Sequence, residues 1–503
     1  MNPLQIVLAL GAWGQTHRWH LFWAMGVLFV LAGITGIVGR KRRADATTHG
    51  SARWARPREV KHAGLYGRHG VVVGRLAGRL LLDDSETHVL LCGPTRSGKG
   101  TGILIPTLLT WNESALILDP KDGENADVTA PWRGRYGRQV ALFTPCRAPQ
   151  TRINVLDTIR LRTRQEFGDA QVIAQSLVAP EKLARESATA LHFRELAALL
   201  LTATILHVCY TGVRKSLAGV WSFLTQQHAS LEASLKAMAS TGHTSHGVHQ
   251  AIASMTTAIA NISGDRELSS VWTTAIRPLV LYSDPLVAAS TDTSTLDLEA
   301  LQYGPAPVSL YLIAPSPMAL ERLHPLYRVI LDVAMTRVME HPVRTWQHRL
   351  LVCGDELPMF GYTRVIDKGI SVMAGYGIKG LLVTQDLPML EDVYGQHTAL
   401  WGNTDLKIFH APTNDLTAKR ISENLVGRGT LEHPVEQWQA GVLGRRSVSV
   451  QHVARALLTT DEVMELDARR QIVRLSGVKP IICDKVNYRR DREFRERWHG
   501  ATA

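Results

Sequence analysis

The chain has few cysteines and few prolines for its length. Five cysteines are spread over 503 residues with no C-x-x-C pair, so neither a disulfide framework nor a zinc ribbon is indicated. With 22 prolines, 45% hydrophobic residues and 20% charged residues, the composition is unlike that of a disordered, collagen-like or coiled-coil chain. We expect a globular body of two or three domains in a reducing cytoplasm.

Acidic residues are also scarce relative to basic ones. Lys and Arg total 56 against 45 Asp and Glu, which gives a formal net charge of +11 at pH 7. A basic balance favours a polyanionic partner, either nucleic acid or an anionic membrane surface. The charge does not distinguish between these two partners.

Long uncharged runs are rare, and the clearest lies near the N-terminus. Residues 21–39 carry no charge, and a helix of that length measures about 28 Å, enough to span the hydrocarbon core. The basic residues 40–43 follow, so the positive-inside rule predicts an external N-terminus and a cytoplasmic body. A cleaved signal peptide is the competing interpretation, but a signal peptide carries its basic residues before the apolar run, whereas here they follow it. Residues 4–13 are apolar and too short to span alone.

Short apolar runs recur along the body, separated by spacers of helical length. This pattern predicts an α/β fold, in which a mostly parallel sheet is covered by helices on both faces. Residues 70–84 predict two short strands that lead into the sheet. The predicted strands are residues 88–92, 115–119, 140–143, 308–313, 350–353, 381–384 and 406–409.

A glycine-rich loop follows the first of these strands. Its glycines would let consecutive backbone N–H groups surround phosphate oxygens, and Lys99 would reach the β- and γ-phosphates of a nucleoside triphosphate such as ATP. Gly100 stands where a Ser or Thr normally binds magnesium, which leaves Thr101 as the candidate metal ligand. An ordinary turn is the alternative. The predicted phosphate-binding residues are Gly93, Pro94, Thr95, Arg96, Ser97, Gly98, Lys99, Gly100 and Thr101.

Acidic and polar side chains follow other predicted strands. Asp355 is the candidate Mg²⁺ ligand and Glu356 the candidate that orients the attacking water. Gln385 follows the strand at 381–384 and is a candidate sensor of the γ-phosphate, unless it caps the next helix. Asp119 would reach the same edge of the sheet, where it either shapes the magnesium site or merely ends a strand.

These motifs define the expected domains. Residues 1–43 form a membrane anchor, and residues 44–180 and 271–503 form the two parts of a nucleotide-binding domain. Between them the strand pattern stops and helical periodicity begins, so residues 181–270 are predicted to be an inserted all-α domain. His243, His246 and His249 lie in this insertion without accompanying Cys or carboxylate residues, and we interpret them as exposed histidines rather than metal ligands.

Several motifs together resemble the type IV secretion coupling protein family, the TraG-type conjugal transfer ATPases. The resemblance implies a RecA-like P-loop NTPase that forms a homo-hexamer at the bacterial inner membrane and uses ATP and Mg²⁺. It further implies recruitment of relaxase-bound single-stranded DNA, protein effectors or both to the components of a type IV secretion channel. The matching blocks are residues 49–55, 93–111, 118–121, 355–358, 373–377 and 383–386.

The chain departs from the usual pattern of this family in two ways. It has one full-length span instead of two, and its C-terminus is rich in arginine where some relatives carry an acidic tail. Two other functions stay open: a docking receptor whose nucleotide site controls assembly, and a septal-type translocase of double-stranded DNA.

In ring ATPases, an arginine from the adjacent subunit stabilises the transition state. The candidates here are Arg420, Arg428, Arg445 and Arg446.

Overall fold

A computed structural model describes most of the chain beyond residue 49. The predicted span 21–39 lies outside the described residues except for Val27, and so do residues 4–13 and 40–43. For residues 431–438, 446–452 and 499 only the backbone is described. The described residues are Val27, 50–135, 137–182, 187–212, 214–227, 230–262, 264–438 and 446–499.

The chain divides into two compact units, formed by residues 1–53 with 420–460 and by residues 54–419 with 461–503. In the smaller unit, strands β10 (Arg428–Trp438) and β11 (Arg446–Ala456) form an antiparallel ladder that pairs Arg428 with Ala456 and Trp438 with Arg446. The strands of both units are β1 (Val71–Leu76), β2 (Arg79–Asp83), β3 (Val89–Cys92), β4 (Ser114–Asp119), β5 (Gln139–Phe143), β6 (Val308–Ile313), β7 (Leu350–Gly354), β8 (Ile378–Thr384), β9 (Leu406–Phe409), β10 (Arg428–Trp438), β11 (Arg446–Ala456), β12 (Arg470–Leu475) and β13 (Ile481–Asp484).

Within the described part of the larger unit, eleven strands form one sheet in the order β2-β1-β13-β12-β9-β3-β8-β7-β4-β6-β5. The segment from β9 to β5 is parallel, and the remaining strands pair antiparallel. The central strands are apolar on both faces because helices cover both sides. All the predicted strands are confirmed, as is the α/β architecture, whereas β10, β11, β12 and β13 were not predicted. The parallel arrangement brings the carboxyl ends of β3, β4, β7 and β8 to one edge.

Helices pack on the sheet and fill the long interval between β5 and β6. A π-helical turn, Gly100–Leu104, precedes α2, and 3₁₀ turns lie at Val155–Thr158, Arg277–Ser283, Leu357–Phe360 and Ala374–Tyr376. Further π-helical turns are Phe223–Gln227 and Ile421–Val426. The α-helices are α1 (Pro57–His62), α2 (Ile105–Thr110), α3 (Glu124–Arg133), α4 (Glu166–Leu177), α5 (Ala188–Thr211), α6 (Leu217–Ser222), α7 (Leu231–Ser240), α8 (Gln250–Ala260), α9 (Asp265–Ile276), α10 (Pro285–Ser290), α11 (Ala300–Tyr303), α12 (Pro317–Met339), α13 (Arg364–Met373), α14 (Leu387–Tyr394), α15 (Ala399–Asn403), α16 (Asp415–Arg420), α17 (Thr460–Met464) and α18 (Arg492–His499).

Helix α5 is the central helix of this helical interval. Among the described helices it alone is long and apolar enough to cross a membrane by length and composition, but 67% of its most apolar window is buried. It packs against α4, α8 and α9. Burial on neighbouring helices accounts for its apolar sequence, so we interpret it as a core helix.

The histidines of the helical interval are not all exposed, contrary to the sequence interpretation. His243 is buried, and its Nε2 lies 2.8 Å from Nδ1 of His207. Nε2 of the half-buried His249 lies 2.9 Å from Oε1 of Glu166, and only His246 is exposed. The interpretation failed because the loop packs against α5, and tertiary packing is not visible in a polar loop sequence. The described residues contain no group of three or more side chains suited to a metal ion.

A buried arginine anchors the helix that follows the glycine-rich loop. Arg133 is fully buried at the end of α3, where Nη1 donates to the carbonyls of Leu108 (3.1 Å) and Trp111 (2.6 Å). Its Nη2 donates to the carbonyl of Glu113 and its Nε to Oγ of Ser309 on β6. Burial of a charge is tolerated where its donors are satisfied. This arginine therefore fixes the C-terminal end of α2 relative to the sheet.

Candidate functional site

The glycine-rich loop connects the end of β3 to the π-helical turn Gly100–Leu104. The backbone of Gly98 has φ +93°, a conformation that favours glycine because other residues meet steric strain there. The N–H of Gly93 donates to the carbonyl of Thr384 at 3.1 Å, which ties the start of the loop to the end of β8. The loop therefore has the strand–turn–helix context that a phosphate-binding loop requires.

Lys99 joins the loop to the acidic motif. Its side chain is only 6% exposed, and Nζ donates to the carbonyls of Gly93 at 2.6 Å and Pro94 at 3.1 Å. The same Nζ lies 3.1 Å from Oε1 of Glu356. Two motifs that are far apart in sequence thus meet at the carboxyl edge of the sheet.

The acidic pair follows β7, which lies between β4 and β8 in the sheet. Asp355 and Glu356 are buried, 3% and 1% exposed. Glu356 has φ 53°, a left-handed conformation that strains a non-glycine residue and is found most often at functional sites. Burial raises the pKa of Glu356 above its usual value, against the opposing effect of Lys99. Its Oε2 is buried without a hydrogen-bond partner in the described structure, so the carboxylate retains an unused acceptor.

Lys121 and Asn125 contact the acidic pair from the end of β4. Nζ of Lys121 lies 3.5 Å from Oδ2 of Asp355 and 3.9 Å from Oε1 of Glu356, and Nδ2 of Asn125 donates to Oδ2 of Asp355 at 3.2 Å. Burial disfavours the Lys121 ammonium, but the two carboxylates outweigh it and raise the pKa of Lys121. Lys121 therefore stays protonated beside the acids.

Asp119 shapes this corner through backbone contacts. Its Oδ2 accepts hydrogen bonds from the N–H groups of Asn125 (2.9 Å) and Ala126 (3.2 Å), and its Oδ1 accepts one from Lys121 (3.3 Å). These bonds hold the turn that presents Lys121 and Asn125 to Asp355. Burial raises the pKa of Asp119 to about 6 in spite of them.

We predict that Asp119 makes stability depend on pH. Because the folded carboxyl binds its proton more tightly than the unfolded chain, whose pKa is near 3.8, its contribution is full below pH 3.8 and is lost as the pH rises through about 6. Relative to Asp119→Asn, which cannot titrate there, the wild type should lose about 3 kcal/mol of unfolding free energy between pH 3 and pH 7. Urea titrations at each pH measure this difference. Parallel pH dependences of the two proteins would contradict the prediction.

The remaining candidates are Gln385, Thr101 and the four arginines. Gln385 is half-buried and directly follows β8, the strand that lies between β3 and β7 in the sheet. Oγ1 of Thr101 lies 3.5 Å from the carbonyl of Gly98, and the space beside the Gly100 Cα is open. Of the candidate arginines, Arg420, Arg428 and Arg446 belong to the smaller unit, and Arg445 lies outside the described residues.

Two residues that the sequence did not single out contact Ser97 of the loop. Nδ1 of His410 lies 3.0 Å from Oγ of Ser97, and Nζ of Lys485 donates to the carbonyl of Ser97 at 2.9 Å. Burial lowers the pKa of His410 to about 3, so its ring is neutral. His410 directly follows the predicted strand 406–409. The expectation that pointed to Asp119, that polar residues at the carboxyl ends of parallel strands meet at one edge of the sheet, could therefore also have found His410. Lys485 follows β13, a strand that was not predicted.

The residues fit the cation that the family resemblance implies. Asp355 is a buried carboxylate, which suits Mg²⁺, and the neighbouring Glu356 has a buried oxygen without a partner. Asp355 and the hydroxyl of Thr101 are the residues that could hold the ion, and a bound Mg²⁺ would neutralise phosphate charge.

Comparison with known proteins gives concordant results. A family model described as "Type IV secretory system Conjugative DNA transfer" matches residues 53–502. The Escherichia coli conjugal transfer protein TraG is 32% identical, with 90% of this chain and 78% of that protein covered. The VirD4 protein of Agrobacterium fabrum is 28% identical, with 89% and 67% covered.

Solved structures show the same fold. The bacterial conjugative coupling protein TrwB superposes with a TM-score of 0.64 at 19% identity, over 87% of this chain and 95% of that chain. TrwB in complex with ADP and Mg²⁺ gives a TM-score of 0.62 at 17% identity, over 86% and 93%. The chain therefore has the α/β fold of these coupling proteins. The predicted family is confirmed, and the chain belongs to the type IV secretion coupling proteins of conjugative DNA transfer.

Proposed function

We propose that the protein is an ATP-driven coupling motor, anchored in the bacterial inner membrane by residues 21–39. It would recruit relaxase-bound single-stranded DNA, protein effectors or both and move them into a type IV secretion channel. The observation that carries the proposal is the convergence of Lys99 on Glu356 at the carboxyl edge of the sheet. A phosphate-binding loop beside a buried acidic pair is the arrangement that ATP hydrolysis requires.

Each predicted site residue then has a chemical task. The Lys99 ammonium and backbone N–H groups between Thr95 and Thr101 would bind the phosphates of ATP, since Gly93 donates its N–H to Thr384 and Pro94 has none. Glu356 would orient the attacking water and accept its proton, which its raised pKa favours. Asp355 and Thr101 would hold Mg²⁺, while Gln385 would sense the γ-phosphate. Structures of TrwB hold ADP with Mg²⁺ and a non-hydrolysable ATP analogue, which supports nucleotide binding here.

The remaining parts of the proposal concern partners and assembly. The helical domain at residues 181–270 would recognise the cargo, and the chain would act as a homo-hexamer. One of Arg420, Arg428, Arg445 and Arg446 would reach the site of an adjacent subunit. The basic net charge of +11 suits contact with the DNA backbone, which is independent of sequence and sensitive to salt.

Transfer assays in cells test the motor. Lys99→Ala and Glu356→Gln should each stop cargo transfer while leaving the protein in the membrane fraction, because they alter the site and not the anchor. Glu86→Gln, a substitution at an exposed position, is the matched control and should transfer normally. Normal transfer by both site variants would refute the motor.

A docking receptor remains the second candidate. Gly100 replaces the usual Ser or Thr, and Thr101 Oγ1 lies near the Gly98 carbonyl, which favours a site that binds nucleotide without rapid turnover. Nucleotide binding with no hydrolysis, in the presence of DNA and channel components, would favour this receptor.

A further inference from the structure

The segment after β13 runs along the first turns of the helix that follows the phosphate loop. We call residues 485–498 the C-terminal strap. Val486, Tyr488 and Phe494 are buried against Ile105 and Leu109 of α2. In addition, Nη1 of Arg497 donates to the carbonyl of Leu109 at 3.0 Å. The strap therefore packs along α2, which is joined to Lys99 by the π-helical turn Gly100–Leu104.

The strap also supplies a hydrogen bond that the helix itself cannot make. In the π-helical turn the N–H of Ile105 donates to the carbonyl of Gly100, five residues back. The matching donor for the carbonyl of Thr101 would be residue 106, which is a proline and has no N–H. The N–H of Tyr488 donates to this carbonyl at 3.2 Å instead.

Close approach of the strap explains a glycine in the same turn. A Cβ at Gly102 would lie 2.9 Å from the carbonyl oxygen of Val486. Backbone oxygens cannot move aside as flexible side chains do. Gly102 is therefore required by the strap rather than by the phosphate loop.

Lys485, the first residue of the strap, reaches the loop itself. Its Nζ donates to the carbonyl of Ser97 at 2.9 Å, while Nδ1 of His410 lies 3.0 Å from the Ser97 hydroxyl. Nε2 of His410 in turn lies 3.0 Å from Oε1 of Gln471 on β12. Burial lowers the pKa of Lys485 to about 8, so the amine keeps its proton at pH 7. Ser97 is thus held from two elements, and one of its partners adds a positive charge beside the loop.

We propose that Lys485 is a positioning residue for nucleotide binding, which holds the Ser97 carbonyl so that the N–H groups of the loop stay aimed at the phosphates. The inference rests on the proposed nucleotide site. A loop that is already ordered loses less entropy when it binds its ligand, so preorganisation acts on affinity. Since Lys485 contacts neither Asp355 nor Glu356 in the structure, its loss should leave the chemical step intact.

The experiment compares three variants of the whole chain in detergent. Lys485→Met should raise the dissociation constant for MgATP at least about tenfold, a factor equal to about 1.4 kcal/mol. Its turnover at saturating ATP should stay within about twofold of wild type. Lys485→Arg should recover most of the affinity, because a guanidinium can also donate to the carbonyl. Arg490→Met removes an exposed positive charge from the same strap and should bind like wild type.

Three results would overturn the inference. One is wild-type affinity in Lys485→Met. The second is an equal loss of MgATP affinity in Lys485→Met and Lys485→Arg, with a lowered melting temperature of both variants in the absence of nucleotide. That result would show that Lys485 has a structural role only. The third is a wild-type chain that binds no nucleotide, which would overturn the proposed function as well. A wild-type chain that binds without hydrolysis contradicts only the motor, and the affinity comparison would still decide the role of Lys485.

Discussion

Glu356→Gln should reduce ATP turnover by at least about 100-fold while MgATP still binds, because a positioned general base contributes about 10²–10⁴-fold to rate. The substitution keeps the size of the side chain and an oxygen that can accept from Lys99, which lies 3.1 Å from Oε1 in the native protein. It removes the carboxylate that would accept the proton, whose pKa burial raises. Binding should therefore survive the loss of hydrolysis.

Steady-state hydrolysis and calorimetric titration of the same preparation measure the two properties. Glu86→Gln makes the same chemical change at an exposed position and should hydrolyse ATP at the wild-type rate. Turnover by Glu356→Gln within about twofold of wild type would remove Glu356 from the proposed mechanism.

Lys99→Met should weaken MgATP binding by about 100-fold, since hydrogen bonds to charged groups contribute up to about 3 kcal/mol and each 1.4 kcal/mol is a factor of about ten in affinity. It should also lower the free energy of unfolding by about 3 kcal/mol, because it leaves the Glu356 carboxylate buried without its closest partner. Lys121 remains 3.9 Å from Glu356 and compensates only in part.

The double variant separates these two effects. Adding Glu356→Gln to Lys99→Met removes the uncompensated buried charge, so most of the lost stability should return while nucleotide binding stays weak. Urea titration measures the stability, and Lys61→Met controls for the loss of an exposed lysine. Additive destabilisation in the double variant would show that Lys99 and Glu356 do not interact.

The parallel part of the sheet could be predicted from sequence because its strands are apolar on both faces. Strands such as VSLYLI in β6 and LLVCG in β7 stand out from the amphipathic helices between them. The antiparallel strands β12 and β13 were missed, because half of the residues of β12 are polar and β13 is only four residues long. Their signal was present as two β-branched runs around a Gly-containing turn at residues 476–480.

The motif residues of the site could also be predicted, since a loop and an acidic pair follow recognisable strands. The contacts that Lys121, His410 and Lys485 make in the site depend on the register between strands that are distant in sequence. A single sequence carries no direct record of that register. The buried His243 shows the same limit in the helical interval, where packing against α5 decides burial.

Calorimetric titration of the chain with MgATP tests the central claim most directly, namely that residues 93–101 bind a triphosphate beside Asp355 and Glu356. The account predicts heat of binding that saturates at one nucleotide per chain and disappears in Lys99→Met. Absence of heat with every adenine nucleotide would contradict it.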